Sequence, residues 1–294
     1  MLTVRSYFQL VVSDRPCFLS SLALETHRKY SIEHTHVQTE ANCVYSILQA
    51  HGIDVVVDLP FVGENLQDQT TTDMFYTNND STNFTGLAGF AAYFNVDDLF
   101  GDELAVFNES VADSIKQYAE KTANASGIID RAVTEKLFHM QYDLIFKNRL
   151  PISEIIVSPS ATGPITIEYW GLLPFSRGSI HINSSNASAS ASINPNYFML
   201  DYDMHQQIAT AKMARKFANT APFSEALSGE VTPGLDTVPT NASDANWEKW
   251  LKSACKSAAT DLLEVFNLTQ RYRSLQLPLH SYSCHDAART WRCG

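Results

Sequence analysis

The sequence lacks the glycine cradle of dinucleotide-binding proteins. None of its 12 glycines stand as Gly-x-Gly, so no Gly-x-Gly-x-x-Gly loop brings a helix N-terminus onto a pyrophosphate. A Walker loop, a Gly-x-Ser-x-Gly elbow and a His-Glu-x-x-His helix are also missing, which removes three common catalytic arrangements. Basic residues are scarce, 21 Lys and Arg against 32 Asp and Glu, for a net charge of −11. Such a chain repels phosphate backbones and anionic lipid, so nucleic acid and membrane surfaces are not expected partners. No apolar run approaches the roughly 18 residues of a spanning helix. The early stretch Phe8–Val12 is short and broken soon after by Asp14 and Arg15, so no signal peptide is expected. The five cysteines are odd in number and form no Cys-x-x-Cys pair, so neither a zinc site nor a closed disulfide framework follows.

What is present is a core-forming chain of 294 residues, 45% hydrophobic and 18% charged. Its charge divides it into three pieces: net zero over residues 1–46, −14 over 47–250 and +3 over 251–294. All five cysteines lie outside the middle piece. The Asn-x-Ser/Thr sequons do the opposite, with Asn79, Asn83, Asn108, Asn124, Asn183, Asn186 and Asn241 in the middle and Asn267 alone beyond it. That density favours a secreted glycoprotein.

The middle piece reads as α+β. Val55–Leu59 is a β-branched run closed by Pro60, the pattern of a strand, and residues 77–86 are a polar loop. Leu104, Phe107, Val111, Ile115 and Tyr118 recur every three or four residues and predict a helix over about 102–122. Val133, Leu137, Met140 and Leu144 predict a second over 129–148, with that stripe as its apolar side. Short strands are expected at Glu154–Val157, Ile165–Trp170 and Ser179–Ile182, then a Ser/Ala/Asn turn or linker over Ser184–Ser192. A helix over 202–218 carries Met204, Ile208, Ala211 and Phe217, and another begins near Ser243 with Trp247, Trp250 and Leu251. Strands and helices do not alternate strictly, which argues against a doubly wound parallel sheet.

The titratable residues name no reaction by themselves. His34 and His36 flank Thr35 without an identifiable third metal ligand. His51, His139, His181 and His205 stand alone. The acid pairs Asp97–Asp98 and Asp201/Asp203 read as solvated residues at helix starts, where the dipole favours them, rather than as a glycosidase pair.

One segment is more specific. Gly52–Gln69, GIDVVVDLPFVGENLQDQ, resembles the "(V/I)VDLP-x-VG-x-NLQD(Q/H)" segment of the glucose–methanol–choline (GMC) oxidoreductases, the FAD-dependent alcohol and sugar oxidases. Trp170–Ile182, WGLLPFSRGSIHI, resembles the family's "LLxPxSRGxVxI" strand pair. Asp201–Phe217 matches its following helix, and Gly229–Gly234, GEVTPG, its "GE-x-x-PG" turn. Coverage is roughly residues 47–250, and NLQDQTTT together with WxLLPFxRGxxHI is most similar to the fungal glucose-oxidase-like branch.

The resemblance implies an antiparallel-sheet substrate domain flanked by helices, with the flavin-binding Rossmann-like domain largely missing. It implies FAD as cofactor, though not held by this chain alone. Substrate would be a small alcohol or sugar, the electron acceptor oxygen or a quinone, and a homodimer is compatible with the intact enzyme. Glu168 and Trp170 match the family's Asp and Trp that line the sugar pocket; Trp170 would stack on a sugar face and Glu168 accept hydroxyl hydrogen bonds. Ile156 stands where the family has an aromatic, which sets glucose itself apart from the expected substrate. Arg177 reads as a buried structural guanidinium, and Asn65 lies on the segment that approaches the flavin. The other reading is a flavin-free remnant, a secreted carbohydrate-binding or non-functional glycoprotein.

Residues 1–46 match no part of the pattern and are read as mistranslated or disordered. The tail, 251–294, shows no "YHP-x-GT-x-x-M" base motif. Read one base later through permitted codons, Leu275–Gly294 spells FNYHSIATAAMMPRELGGV, close to that motif, and the tail is therefore read as out of frame. A polypeptide without cofactor fold and base is expected to be inactive and to expose apolar surface.

Overall fold

A computed structural model describes residues 43–55, 59–79, 89–158, 164–186 and 189–257. These fall into two compact units, one made of residues up to 62 with 181–192, the other of 63–180 with 193–257. In the first, helix α1 (Cys43–Ala50) ends in a turn where the Gly52 N–H reaches the Gln49 carbonyl at 2.9 Å. Part of the expected Val55–Leu59 strand, His34, His36, Asn83, most of the 77–86 loop and the tail beyond Ser257 lie outside the described residues.

The second unit is built on a six-stranded antiparallel sheet in the order β3-β4-β5-β2-β8, with β9 pairing β2. Its strands are β2 (Thr70–Asn78), β3 (Phe90–Phe94), β4 (Ser153–Ser158), β5 (Ile165–Gly171), β8 (Leu227–Thr232) and β9 (Lys256–Ser257). β2 is the surprise: Thr72, Met74 and Tyr76 alternate on one face, but a polar start and an Asn-rich end conceal the strand in the sequence. Strand β1 (Glu64–Leu66) pairs antiparallel with β6 (Gly178–His181), which belongs with β7 (Ser192–Asn194) to a second, smaller sheet. WGLLPFSRGSIHI is therefore not a strand pair: β5 and β6 lie in different sheets.

The helices are α2 (Val96–Phe100), α3 (Leu104–Ser126), α4 (Arg131–Tyr142), α5 (Asp201–Ala218) and α6 (Asp244–Ala254). α5 lies across the sheet, its Met204, Ile208, Ala211, Ala214 and Ala218 packed on Met74, Tyr76, Ile155, Val157, Ile165, Ile167 and Tyr169, with Trp247, Trp250 and Leu251 of α6 closing the cluster. A second cluster joins Val111, Ile115 and Tyr118 of α3 to Phe138, Ile145, Phe146, Phe175 and Tyr202. The folded unit continues past residue 251, with Cys255 buried and disulfide-bonded and β9 beyond it.

The α4 periodicity locates the helix but points to the wrong face. Thr134 and Phe138 are buried, whereas Val133, Leu137 and Met140 are half or more exposed. A π-helical turn over Asp143–Lys147 follows α4 and turns Ile145 and Phe146 inward, so the packed face runs Thr134, Phe138, Ile145.

Candidate functional site

Alternation along the strands gives the sheet two unlike faces. Phe90 of β3 meets Phe217 of α5 edge-on at 5.6 Å, which assigns Phe90, Ala92 and Phe94 to the α5 face and Ala91 and Tyr93 to the far face. Register then carries the assignment across: Tyr93 pairs Glu154, Glu154 pairs Trp170, Trp170 pairs Thr71, and Thr71 pairs Lys256. The neighbouring row is Ala91, Ile156, Glu168 and Asp73. These two rows thus carry three carboxylates, one lysine, two aromatic rings and little aliphatic surface.

The first row is open at its two ends, Tyr93 and Lys256 (side chain 44% exposed), and closed between them. Tyr93 is 57% exposed, Glu154 half-buried, Trp170 6% exposed and Thr71 fully buried. The Tyr93 hydroxyl donates to Glu154 Oε1 at 2.8 Å, and that bond to a carboxylate raises the phenol pKa. Lys256 Nζ lies 2.9 Å from Asp73 Oδ2.

Three anchors hold this sheet and the chain around it. Asp68, in the NLQDQ segment, accepts hydrogen bonds from the Gln69 N–H at 2.9 Å, the Ser257 hydroxyl at 2.5 Å and the Tyr197 hydroxyl. It therefore ties β9 and the loop before α5 to the start of β2. The second anchor is Asp203, whose carboxylate receives the Phe175 and Ser176 amides at 2.7 and 2.8 Å. It is buried, not solvated like the exposed Asp201, because α5 begins beneath the LLPFSRG loop and turns this side chain inward. Burial raises its pKa, against the opposing pull of the Ser176 and Phe175 hydrogen bonds and Arg177.

Arg177 is structural, as its motif suggests. It donates to the Pro174 and Ser176 carbonyls at 2.5 and 3.0 Å and to Gln141 Oε1 at 2.8 Å, and lies over the Phe138 ring. Burial lowers its pKa to about 10, and Asp203 partly offsets that. The adjoining Gly178 is required by contact: a Cβ there would lie 2.0 Å from the Asn194 carbonyl oxygen.

The third anchor is the GEVTPG segment, which is a strand end followed by a turn. Glu230 makes a two-pronged ion pair with Arg215 of α5, at 2.6 Å from Nη2 and 2.9 Å from Nε, with both side chains 7% exposed or less. Glu230 also accepts from Tyr76 at 3.2 Å and from the Gly234 amide at 3.1 Å, while Arg215 stacks 4.3 Å from the Trp247 ring centroid. Gly234 has φ +76°, which favours glycine. Sequence reading found the segment but missed Arg215. A basic residue four positions after Ala211, in line with the buried Ile208 and Ala211, is the signal that marks it.

Of the residues singled out from sequence, Glu168, Trp170 and Ile156 come together on the far face, with Glu168 and Ile156 directly opposed across strands. Asn65 sits apart from them in β1, exposed, at φ +59°. Asn124, Asn183, Asn186 and Asn241 are exposed, while Asn108 is half-buried and accepts from the Tyr142 hydroxyl at 2.6 Å, and Asn79 donates to the Glu225 carbonyl at 3.1 Å. Asp97 pairs with Arg149 at 2.8 Å and Asp98 closes a capping box with Asn95, both exposed as expected. Among the described residues no group of three or more His, Cys, Asp or Glu is placed to hold a metal, and no helix is long and apolar enough to cross a membrane.

Residues 174–261 match the family model described as GMC oxidoreductase. Glucose oxidase 1 of Penicillium expansum is 33% identical over 207 residues, a stretch that covers 70% of this chain and 32% of that protein. The glucose oxidase-like protein fsoC of Humicola fuscoatra is 31% identical over 203 residues, 68% of this chain and 33% of that protein. The chain belongs to the GMC oxidoreductase family.

The GMC chain spans about a third of the length of these relatives. Its fold matches that of a fungal aryl-alcohol oxidase with a TM-score of 0.58 at 18% identity, over 72% of this chain and 40% of that one. A FAD-dependent oxidoreductase from Chaetomium thermophilum also matches at 0.58, with 16% identity over 73% and 40%. GMC oxidoreductases are FAD-dependent flavoproteins. The described residues do not themselves form a FAD cradle: the main sheet is antiparallel, and no glycine-rich turn leads from a strand into a helix N-terminus.

Proposed function

We propose that this chain supplies the substrate-binding part of a glucose-oxidase-like, FAD-dependent oxidoreductase that oxidises a CH–OH group of an alcohol or sugar, with oxygen or a quinone as acceptor. Residues 47–250 are its substrate-domain-like region. The observation that carries this reading is the juxtaposition of Glu168, Trp170 and Ile156 on the face of the sheet that α5 leaves free. Glu168 accepts hydrogen bonds from substrate hydroxyls there, and Trp170 forms the closed floor. In the complete active site the chemistry supplied by FAD would be that of a hydride acceptor for the alcohol carbon. What this chain's residues do is hold and orient the hydroxylated ring against it.

The exposed sequons at Asn124, Asn183, Asn186 and Asn241 support a secreted glycoprotein. The polypeptide as it stands, without the Gly-x-Gly-x-x-Gly fingerprint, carries no stoichiometric flavin and no oxidase activity. Absorbance of the purified protein in the flavin bands, with a peroxide assay on glucose, tests this: a yellow, active protein overturns it. Calorimetric titration with glucose tests the binding role. Weak binding that Glu168→Gln reduces supports it, and no binding of any hydroxylated ligand overturns it.

A further inference from the structure

Threonines inside helices commonly return their hydroxyls to the backbone one turn earlier. Thr134 and Thr210 do so, each bonding the carbonyl four residues back, of Asp130 and Gln206, at 2.8 Å. Thr122 of α3 does not. It is 2% exposed, and its Oγ1 has no hydrogen-bond partner among the described residues. A buried hydroxyl left so costs stability, and what it faces is therefore informative. Thr122 lines a cavity of about 10 Å³ whose other polar walls are Glu64 of β1, Ser126 of α3, Arg177, Ser179 of β6 and Asn196. All of these residues belong to the second compact unit.

We propose that this cavity is a binding site for one water molecule, which takes the Thr122 hydroxyl and ties α3 to β1 and to the LLPFSRG loop. The volume matches a single water-sized sphere and is too small for a polyatomic anion or an organic ligand. A water held there needs about two to four polar partners, and the walls supply them. Ser126, one helical turn from Thr122 and so on the same face, donates to Glu64 Oε2 at 2.6 Å and accepts from the Ile129 amide at 3.3 Å. That bond fixes the Glu64 carboxylate against α3 as an acceptor. Asn196, held at φ +52°, gives its side-chain N–H to the Arg177 carbonyl at 3.0 Å, which leaves its amide oxygen to accept. The walls carry one carboxylate and one guanidinium. That balance suits a neutral guest better than a metal cation, which would call for more anionic oxygen.

Thermal unfolding of the full 294-residue protein and of Thr122→Val tests this, because valine keeps the shape of threonine and removes only the hydroxyl. With a water in place the variant loses a hydrogen bond, and Tm falls by about 2–4 °C. Without one, the variant removes an unsatisfied hydroxyl, and Tm stays the same or rises; that result overturns the site. Crystals of the wild-type protein, Thr122→Ser and Thr122→Val supply the second reading. A spherical density peak within hydrogen-bond distance of the residue 122 hydroxyl in the first two, lost in the third, is expected. No peak beside the wild-type Thr122 overturns the proposal even where Thr122→Val lowers Tm. An anomalous peak in the cavity after soaking in rubidium chloride assigns a monovalent cation in place of water and overturns it as well.

Discussion

The two faces of the six-stranded sheet are made by the same strands and do opposite work. On the α5 side, β2, β4 and β5 contribute Met74, Tyr76, Ile155, Val157, Ile165, Ile167 and Tyr169, all buried. One residue along each strand, the far side shows Asp73, Phe75, Glu154, Ile156, Thr166 and Glu168, none of them fully buried, and closes only where Thr71 meets Trp170. Shifting any strand by one residue would exchange the two sets, so the core that stabilises the sheet also specifies which side chains line the far face. The charged residues of the two faces differ in the same way: Glu230 and Arg215 form a pair in which both side chains are 7% exposed or less, whereas the far-face pair of Asp73 with Lys256 leaves the lysine side chain 44% exposed.

The sharpest way to break this contrast is to unpair the buried ions. Glu230→Gln, which leaves Arg215 buried against a neutral amide, should lower stability by about 3–5 kcal/mol in urea unfolding. Arg215→Met combined with Glu230→Leu should recover most of the loss, and a double variant no better than the single would show that the pair itself is not what matters. Next in size, Ile167→Ala should cost about 2–5 kcal/mol, while Thr166→Ala, on the far face beside it, should stay within about 0.5 kcal/mol.

A third test uses pH. Because burial raises the Asp203 pKa, the folded state holds that proton more strongly than the unfolded state does. Its contribution therefore declines as pH rises from the ordinary carboxylate range through the raised value, and the Asp203→Asn variant should lack that slope in unfolding midpoints measured from pH 3 upward. Smallest of all, Lys256→Met removes a pair that is partly exposed on the lysine side and should cost about 0.2–1 kcal/mol, less in high salt.

How much of this was legible in the sequence depended on what each signal measures. Periodicity located α3, α5 and α6 and their buried residues because those helices press one regular stripe on a core. It failed on the face of α4, where a π-turn shifts the register that the stripe assumes. β2 and β3 were invisible, one opening on three threonines and an aspartate, the other built on two alanines; neither shows the β-branched apolar run that marks β4 and β5. The motif segments located Arg177, Glu168 and Trp170, but not Arg215 or the inward turn of Asp203, whose partners lie 15 and 27 residues away or more. Tyr93 stood out only once register placed it in line with Trp170.

The central position of β2 has a consequence for synthesis. Its partners β5, β8 and β9 all come later in the chain, and the first of them begins about 90 residues after β2 ends, roughly 5–20 s of translation. Through that interval the strand that will sit mid-sheet has both edges bare, the state most prone to pairing with another nascent chain. Its opening Thr-Thr-Thr-Asp is hydrophilic and carries a charge, the composition that discourages such pairing. Asp73 places a charge in that strand, and in the folded sheet it receives Lys256, among the last residues of the sheet to be made.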